Sequence, residues 1–166
     1  DKRGADATGA GNDGYMTLVT IVCGAPGSGK STWVARQVHW GDLVLDIDRL
    51  YEAVSMQPTY HKPANLLQII LAMRDAALTR LARPNQIGKA YIITTTTRHS
   101  EIYAIATRFK ARVVVIQTPS IVCMRRIAED PRRSEMLNHW QELVERWFTN
   151  WRDYPGAEVI TETDEV

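Results

Sequence analysis

The residues that decide the fold of this chain are Gly24-Ala25-Pro26-Gly27-Ser28-Gly29-Lys30-Ser31. They match the pattern G-x-x-x-x-G-K-[ST] of the phosphate-binding P-loop. The glycines allow the backbone to curl so that successive N–H groups point at a di- or triphosphate. The motif predicts that these eight residues and Thr32 bind nucleotide, that Lys30 reaches the β- and γ-phosphates, and that Ser31 coordinates Mg²⁺.

The sequence on both sides of the loop supports this interpretation. Residues 18–23 form a β-branched apolar run that is typical of a buried parallel strand. Residues 31–38 contain neither Gly nor Pro and are expected to form a helix, whose N-terminus adds unpaired N–H groups and a positive dipole end. The order of strand, loop and helix favours phosphate binding over an accidental glycine turn.

The rest of the chain alternates between strand and helix patterns. Further strands are expected at 43–46, 90–94, 112–117 and about 158–160, and helices at 49–54, 64–83, 100–109, 119–128 and 134–154. Asp48 and Ser100 are the expected N-caps of two of these helices. Right-handed crossovers then give an α/β fold, the three-layer P-loop NTPase fold, with a mostly parallel, roughly five-stranded sheet flanked by helices.

Composition indicates one ordinary globular domain. The chain has 166 residues, of which 45% are hydrophobic and 23% charged, with a net charge of +1. This balance argues against a surface that coats nucleic acid, and no apolar run is long enough to span a membrane. Residues 1–15 are expected to be a flexible leader, 16–160 the P-loop kinase domain and 161–166 a frayed acidic tail. Cys23 and Cys123 lie in apolar surroundings, which favours free thiols in a cytoplasmic protein.

Two acidic residues lie at the end of the second predicted strand. Asp46 and Asp48 are two apart, so on an extended segment they would point to the same face. Asp46 is the candidate to hold a metal-bound water, and Asp48 the candidate general base that accepts the proton of an acceptor hydroxyl. The alternative for Asp48 is simple helix capping.

Four arginines lie on either side of a charged break at residues 129–131. Arg125, Arg126, Arg132 and Arg133 could form a lid that closes over ATP and neutralises charge during phosphoryl transfer, and Arg126 and Arg132 are the preferred members. A solvated loop is the alternative. The tryptophans of the last helix, at 140, 147 and 151, share one face, for which core packing is favoured over base stacking.

The run from Gly27 to Arg36, GSGKSTWVAR, resembles the small P-loop kinases, especially the phage-type polynucleotide 5′-hydroxyl kinases and AAA_33-like proteins. In outline the similarity extends over residues 17–154. It implies that Asp48 is the general base and that Arg126 or Arg132 contacts the donor phosphates. The chain departs from the family pattern at Tyr51, where an Arg often grips the acceptor phosphate, and at residues 94–97, where four threonines replace an acid.

These features together predict an ATP- and Mg²⁺-dependent kinase with catalytic residues Lys30, Asp48, Arg126 and Arg132. A polynucleotide 5′-hydroxyl is the first expected acceptor, followed by a nucleoside, nucleotide or small molecule, with Lys62, Arg98 and His99 as possible groove residues. One alternative is a non-catalytic nucleotide-binding regulatory module. Another is an ATPase motor subunit, which small size and the missing Walker-B acid after residues 91–93 disfavour. Oligomeric state is not predicted.

Overall fold

A computed structural model of the chain describes residues 16–161 and contains one five-stranded parallel sheet. The strands are β1 (Leu18–Cys23), β2 (Leu43–Asp46), β3 (Lys89–Thr94), β4 (Arg112–Gln117) and β5 (Glu158–Thr161). Their spatial order is β2-β3-β1-β4-β5, and every neighbouring pair is parallel. The predicted fold class is therefore confirmed.

Helices cover both faces of this sheet. They are α1 (Lys30–Gln37), α2 (Ile47–Ser55), α3 (Leu67–Leu81), α4 (His99–Phe109), α5 (Ser120–Glu129) and α6 (Leu137–Asn150). Single 3₁₀ turns at Ala64–Leu66 and Ser134–Met136 lead into α3 and α6. Because each β-to-α connection in a parallel sheet leaves the carboxyl end of a strand, the loops after β1, β2 and β3 gather at one edge.

The core explains why β1 lies at the centre of the sheet. Val22 packs with Trp33 and Val34 of α1 on one face, whereas Ile21 packs with Ile102 of α4 on the other. Ile21 and Val22 are both completely buried. A strand buried on both faces is a continuous apolar run rather than an alternating one, as the sequence of β1 predicted.

Helix α2 begins earlier than expected and is capped by a different residue. The Asp46 side chain accepts a hydrogen bond from the Asp48 backbone N–H at 3.0 Å, so Asp46 is the N-cap and Asp48 lies in the first helical turn. The prediction that Asp48 caps the helix was wrong, as was the argument that both acids point to one face of an extended segment. Asp46 is both the last residue of β2 and the N-cap of α2, because its backbone is extended (φ −136°, ψ 122°).

Other element ends differ from the prediction by one to four residues. Helix α4 begins at His99, so Ser100 lies within it and is not its cap. Helix α6 ends at Asn150 rather than at 154, because Trp151 has an extended backbone. Strand β5 reaches Thr161, which pairs with Gln117. The expectations for residues 1–15 and 162–166 fall outside the described residues.

The tryptophans of α6 belong to the core, as predicted. Trp140 and Trp147 are buried with Cys123, Ile127 and Val144, and Trp147 stacks on the ring of the following turn, Trp151, at 5.0 Å and 11° between planes. This cluster joins α5 to α6 and also includes Ala25 of the P-loop. Packing of α6 therefore fixes the position of the loop.

Both cysteines are buried free thiols, and burial raises the pKa of Cys23 to about 12. A thiol with so high a pKa is inert at neutral pH. Within residues 16–161, none of the helices has the length and apolar character that crossing a membrane requires.

Candidate active site

A cleft of about 1240 Å³ lies at the carboxyl edge of the sheet, where the topology places the loops after β1, β2 and β3. Its lining comes from the P-loop, the β2–α2 junction, the exit of β3, the loop between α5 and α6, and one side of α6. Seven basic side chains and three carboxylates face it. This charge balance suits an anionic ligand such as a polyphosphate.

The P-loop is held in shape by contacts to its backbone carbonyls. Gly27 (φ 76°) and Gly29 (φ 98°) adopt left-handed conformations, and Gly29 is the N-cap of α1. The Ser28 carbonyl accepts hydrogen bonds from Thr118 Oγ1 at 2.8 Å and from Arg126 Nη1 at 3.1 Å. These contacts hold the Ser28 carbonyl toward α5 and the β4–α5 loop, and so fix the curled backbone that anion binding by a P-loop requires.

The variant Gly27→Ala tests how tightly the P-loop packs on α5. A Cβ at Gly27 would lie 2.8 Å from the Cys123 carbonyl oxygen and 3.1 Å from the Ile127 side chain, in addition to the left-handed φ. Gly27→Ala should therefore lower the free energy of unfolding by more than the roughly 1–2 kcal/mol that the backbone conformation alone costs.

Two other glycines separate these causes. Gly41 has φ 90° with nothing within 4 Å of a Cβ, and Gly88 has open space and no left-handed φ. Urea unfolding should rank the three Ala variants as Gly27 most destabilised, Gly41 intermediate and Gly88 least affected. Equal losses at Gly27 and Gly41 would show that the contact with α5 adds nothing.

Lys30 is one of the two most buried charged residues of the site, together with Asp46. Its side chain is 8% exposed, and Nζ donates a 2.7 Å hydrogen bond to the Ala25 carbonyl. Burial lowers the pKa of Lys30 to about 8, although Cys123, Asp46, Asp48 and Cys23 oppose the shift. A polyphosphate would favour the charged ammonium and so raise this pKa on binding.

The lowered pKa of Lys30 predicts proton uptake when nucleotide binds. If the free protein has a Lys30 pKa of about 8, uptake should rise from about 0.1 proton per nucleotide at pH 7 to about 0.9 at pH 9. Over the same interval affinity should fall, because an increasing fraction of Lys30 must be protonated first. Calorimetry of ADP binding in buffers of different ionisation enthalpy measures this uptake, and its absence at pH 9 would contradict the prediction.

The two carboxylates after β2 differ in their surroundings although both line the cleft. Asp46 is 8% exposed, and burial together with the neighbouring Asp48 charge raises its pKa. Asp48 forms an ion pair with Lys62, whose Nζ lies 3.0 Å from Oδ1, and its side chain is 31% exposed. Within residues 16–161 no hydrogen bond or ion pair involves the Oδ2 atom of Asp48, so this atom can accept a proton from a ligand hydroxyl.

The arginines between α5 and α6 are held by one carboxylate. Arg132 forms a two-point contact with Asp130 (Nε–Oδ1 3.0 Å and Nη2–Oδ2 2.9 Å), and Arg133 Nε also contacts Oδ2 at 3.0 Å. The hydrogen bond from Arg132 is the main cause that lowers the pKa of Asp130 to about 2. Both guanidinium groups lie over the Tyr60 ring, at 5.3 Å and 4.7 Å from its centroid.

The residues present fit a nucleotide-bound Mg²⁺. Ser31 is exposed at the start of α1, and Asp46 lines the same cleft. Residues 16–161 contain no group of three or more His, Cys, Asp or Glu side chains that would form a metal cage of their own. Mg²⁺ generally needs only one or two protein oxygens beside substrate phosphates and water, so this donor set suits it.

The AAA_33 family, described as AAA domain, matches residues 19–153. The chain belongs to this family. No curated protein matches the sequence.

Some solved structures that are similar to this AAA_33 protein are named as kinases. A gluconokinase from Sinorhizobium meliloti 1021 is 15% identical with a TM-score of 0.53, over 89% of this chain and 83% of that one. APE1195 is 18% identical with a TM-score of 0.59, over 92% and 88%. A chain of the Pnkp1/Rnl/Hen1 RNA repair complex is 16% identical with a TM-score of 0.58, over 94% of this chain and 53% of that one. These similarities show a kinase-like P-loop fold.

Most of the residues predicted from sequence meet at the cleft of this AAA_33 protein. Its lining includes the following members of that set: Pro26, Gly27, Gly29, Lys30, Ser31, Thr32, Asp46, Asp48, Arg126 and Arg132. Three residues of the loop itself are buried and do not line the cleft, namely Gly24, Ala25 and Ser28. Their contribution is to the shape of the loop.

The predicted acceptor residues separate in the structure. Lys62 lines the cleft, whereas Arg98 is an exposed partner of Glu101 at 3.5 Å. The His99 ring lies 2.8 Å from the Arg152 carbonyl and packs on Trp151. Neither Arg98 nor His99 is in the lining, so the proposed groove role applies to Lys62 alone.

Several residues of the site were not predicted. Thr118, Tyr60, Asp130 and Arg146 support the P-loop, contact the arginines or line the cleft. Arg146 could have been found, because it lies three residues after Leu143 and four before Asn150 on the helix face next to the tryptophans. Tyr60 has no sequence signal, since it lies in a loop between two prolines.

Proposed function

We propose that this protein is an ATP-dependent kinase that transfers the γ-phosphate to a hydroxyl acceptor, with a polynucleotide 5′-hydroxyl as the first acceptor to test. The observation that carries the proposal is the meeting of a P-loop, two carboxylates and an arginine-bearing segment around one cleft. Phosphoryl transfer needs a cradle for the donor phosphates, a group that accepts the proton of the acceptor hydroxyl, and positive charge near the transferred group.

Each part has a stated role in the proposal. The P-loop N–H groups and Lys30 bind the β- and γ-phosphates, and Ser31 and Asp46 hold Mg²⁺. When bound, Mg²⁺ would neutralise charge on the phosphate oxygens. Asp48 Oδ2 accepts the proton of the acceptor hydroxyl, and Lys62 keeps the carboxylate oriented through Oδ1. Arg126, anchored to the loop carbonyls, and Arg132 supply positive charge beside the donor.

Two similarities support the choice of acceptor, and the cysteines support the choice of setting. The sequence resemblance to polynucleotide 5′-hydroxyl kinases and the similar fold of a chain in the Pnkp1/Rnl/Hen1 RNA repair complex both favour a nucleic-acid end. The buried free thiols fit a reducing, cytoplasmic environment. The gluconokinase neighbour makes a small-molecule alcohol the second acceptor class.

The experiment uses γ-labelled ATP, Mg²⁺ and a panel of acceptors, namely 5′-hydroxyl oligonucleotides, nucleosides, mononucleotides and polyols with and without a carboxylate. Label in an oligonucleotide supports the first acceptor, and label in another alcohol supports a kinase of different specificity. Label released only as inorganic phosphate would indicate an ATPase. Binding of ATP without any transfer would indicate a regulatory module.

A further inference from the structure

Among the basic side chains of the cleft, Arg146 stands apart. Lys30 and Arg126 donate to P-loop carbonyls, Arg132 and Arg133 are held by Asp130, Lys62 is paired with Asp48, and Arg36 has an interaction partner. Arg146 is exposed in the cleft wall, and no ion pair or hydrogen bond reaches it from the part of the chain that the structure describes. Its guanidinium group is therefore open to a ligand that enters the cleft.

The position of α6 shows which part of the cleft Arg146 serves. At its first turn, the Trp140 ring lies 5.5 Å from the Arg133 guanidinium, beside the arginine segment. Just past its last turn, the Trp151 ring lies 5.6 Å from the His99 ring, beside the exit of β3. Arg146 lies in the second half of the helix, toward β3. Asp48 lies toward the first turn instead, because its partner Lys62 is two residues from Tyr60, whose ring centroid lies 5.3 Å from that of Trp140.

The wall on which Arg146 lies is rich in donors and poor in acceptors. The Nε1 atoms of Trp140 and Trp147, both from cleft-lining side chains, are buried and have no hydrogen-bond partner within residues 16–161. Asn150 adds an amide, and Thr94 and Thr95 add hydroxyls from the β3 side. The three carboxylates of the lining lie elsewhere: Asp46 and Asp48 are at the junction of β2 and α2, and Asp130 is between α5 and α6. Such a wall suits a ligand that brings its own oxygen acceptors.

We infer that this α6 wall binds the acceptor, and that the acceptor is an alcohol that carries a second oxyanion, either phosphate or carboxylate, which Arg146 binds. This inference rests on the proposed kinase function. Trp140 and Trp147 are seven residues apart, so the wall is about 10 Å long. That length accommodates a hydroxyl near Asp48 at one end and an anionic group at the other. Arg146 then determines acceptor specificity and does not participate in the chemical step.

The test compares paired acceptors that differ only in the anion, adenosine 3′-monophosphate against adenosine and gluconate against glucitol. With wild-type protein, the anionic member of at least one pair should be the better substrate, and which pair responds distinguishes phosphate from carboxylate. Arg146→Gln should raise the KM for that acceptor about 10- to 100-fold, the loss expected for a hydrogen bond to a charged group. The KM for ATP should not change.

Arg83→Gln is the matched control, because Arg83 is exposed and lies outside the cleft lining. A rise in the KM for ATP in Arg146→Gln, with the acceptor KM unchanged, would overturn the inference by placing Arg146 at the donor. Equal use of the anionic and neutral members by wild type would also overturn it.

Equilibrium binding separates failure of this inference from failure of the kinase proposal. With the donor site saturated by ADP and Mg²⁺, binding of the same four compounds can be followed by tryptophan fluorescence, since two tryptophans line the wall. If no acceptor is phosphorylated but an anionic member binds and Arg146→Gln weakens it about 10-fold or more, the kinase proposal fails and the subsite stands. If transfer occurs but acceptor binding depends neither on the anionic group nor on Arg146, the subsite inference is wrong and the kinase proposal stands.

Discussion

Replacing Asp48 with Asn should lower the rate of phosphoryl transfer to the best acceptor about 10²- to 10⁴-fold and leave ATP binding nearly unchanged, as loss of a general base does. The amide has the size of the carboxylate but cannot take a proton from the acceptor hydroxyl. Asp48 is suited to this role because its carboxylate lines the cleft with one oxygen on Lys62 and the other available. Single-turnover experiments with labelled ATP measure the rate of transfer, and calorimetry with an ATP analogue measures nucleotide affinity.

Asp46→Asn is the informative companion to this variant. Asn caps helices about as well as Asp, so α2 should keep its start and the free energy of unfolding should change little. The variant removes only the negative charge expected at the metal, and the Mg²⁺ concentration for half-maximal rate should rise. If Asp46→Asn abolishes transfer while Asp48→Asn retains it, the two roles are exchanged and Asp48 is not the base.

Replacing Lys30 with Met should weaken nucleotide binding about 10²-fold and reduce transfer further. A charged hydrogen bond to phosphate contributes about 1.5–3 kcal/mol to binding, and the same charge is needed when the transferred group is most negative. Met fills a similar volume in a site that is 8% exposed. Titration with an ATP analogue measures the loss.

Stability provides an internal check on the Lys30 variant. Burial disfavours the charged form of Lys30 and lowers its pKa to about 8, so Met removes a desolvated charge, and the Tm should stay the same or rise. Lys89→Met, at the start of β3 and exposed, controls for loss of a lysine far from the cleft. Unchanged nucleotide affinity in Lys30→Met with a normal Tm would remove the central assumption of the proposed function.

Patterns that are local in sequence predicted most of the fold. The apolar run of β1 and the glycines of the P-loop place strand, loop and helix through constraints within a few residues, and these elements form where expected. The ends of elements were less certain, because an extended Asp46 and a helical Asp48 satisfy the same local preferences. The hydrogen bond from the Asp48 N–H to the Asp46 carboxylate makes Asp46 the N-cap, and residue types alone do not show which of the two acids accepts such a bond.

Neighbouring residues are enough to specify a glycine-rich loop between a buried strand and a helix, because the motif, the apolar run and the start of the helix follow one another directly in the chain. Only the tertiary structure brings Lys62 to Asp48, Asp130 to Arg132, and Arg146 into the cleft wall. These contacts depend on how β2 pairs with β3 and how α6 packs on α5. Such packing is set by the burial of apolar surface over the whole domain, and no short stretch of the chain contains that information.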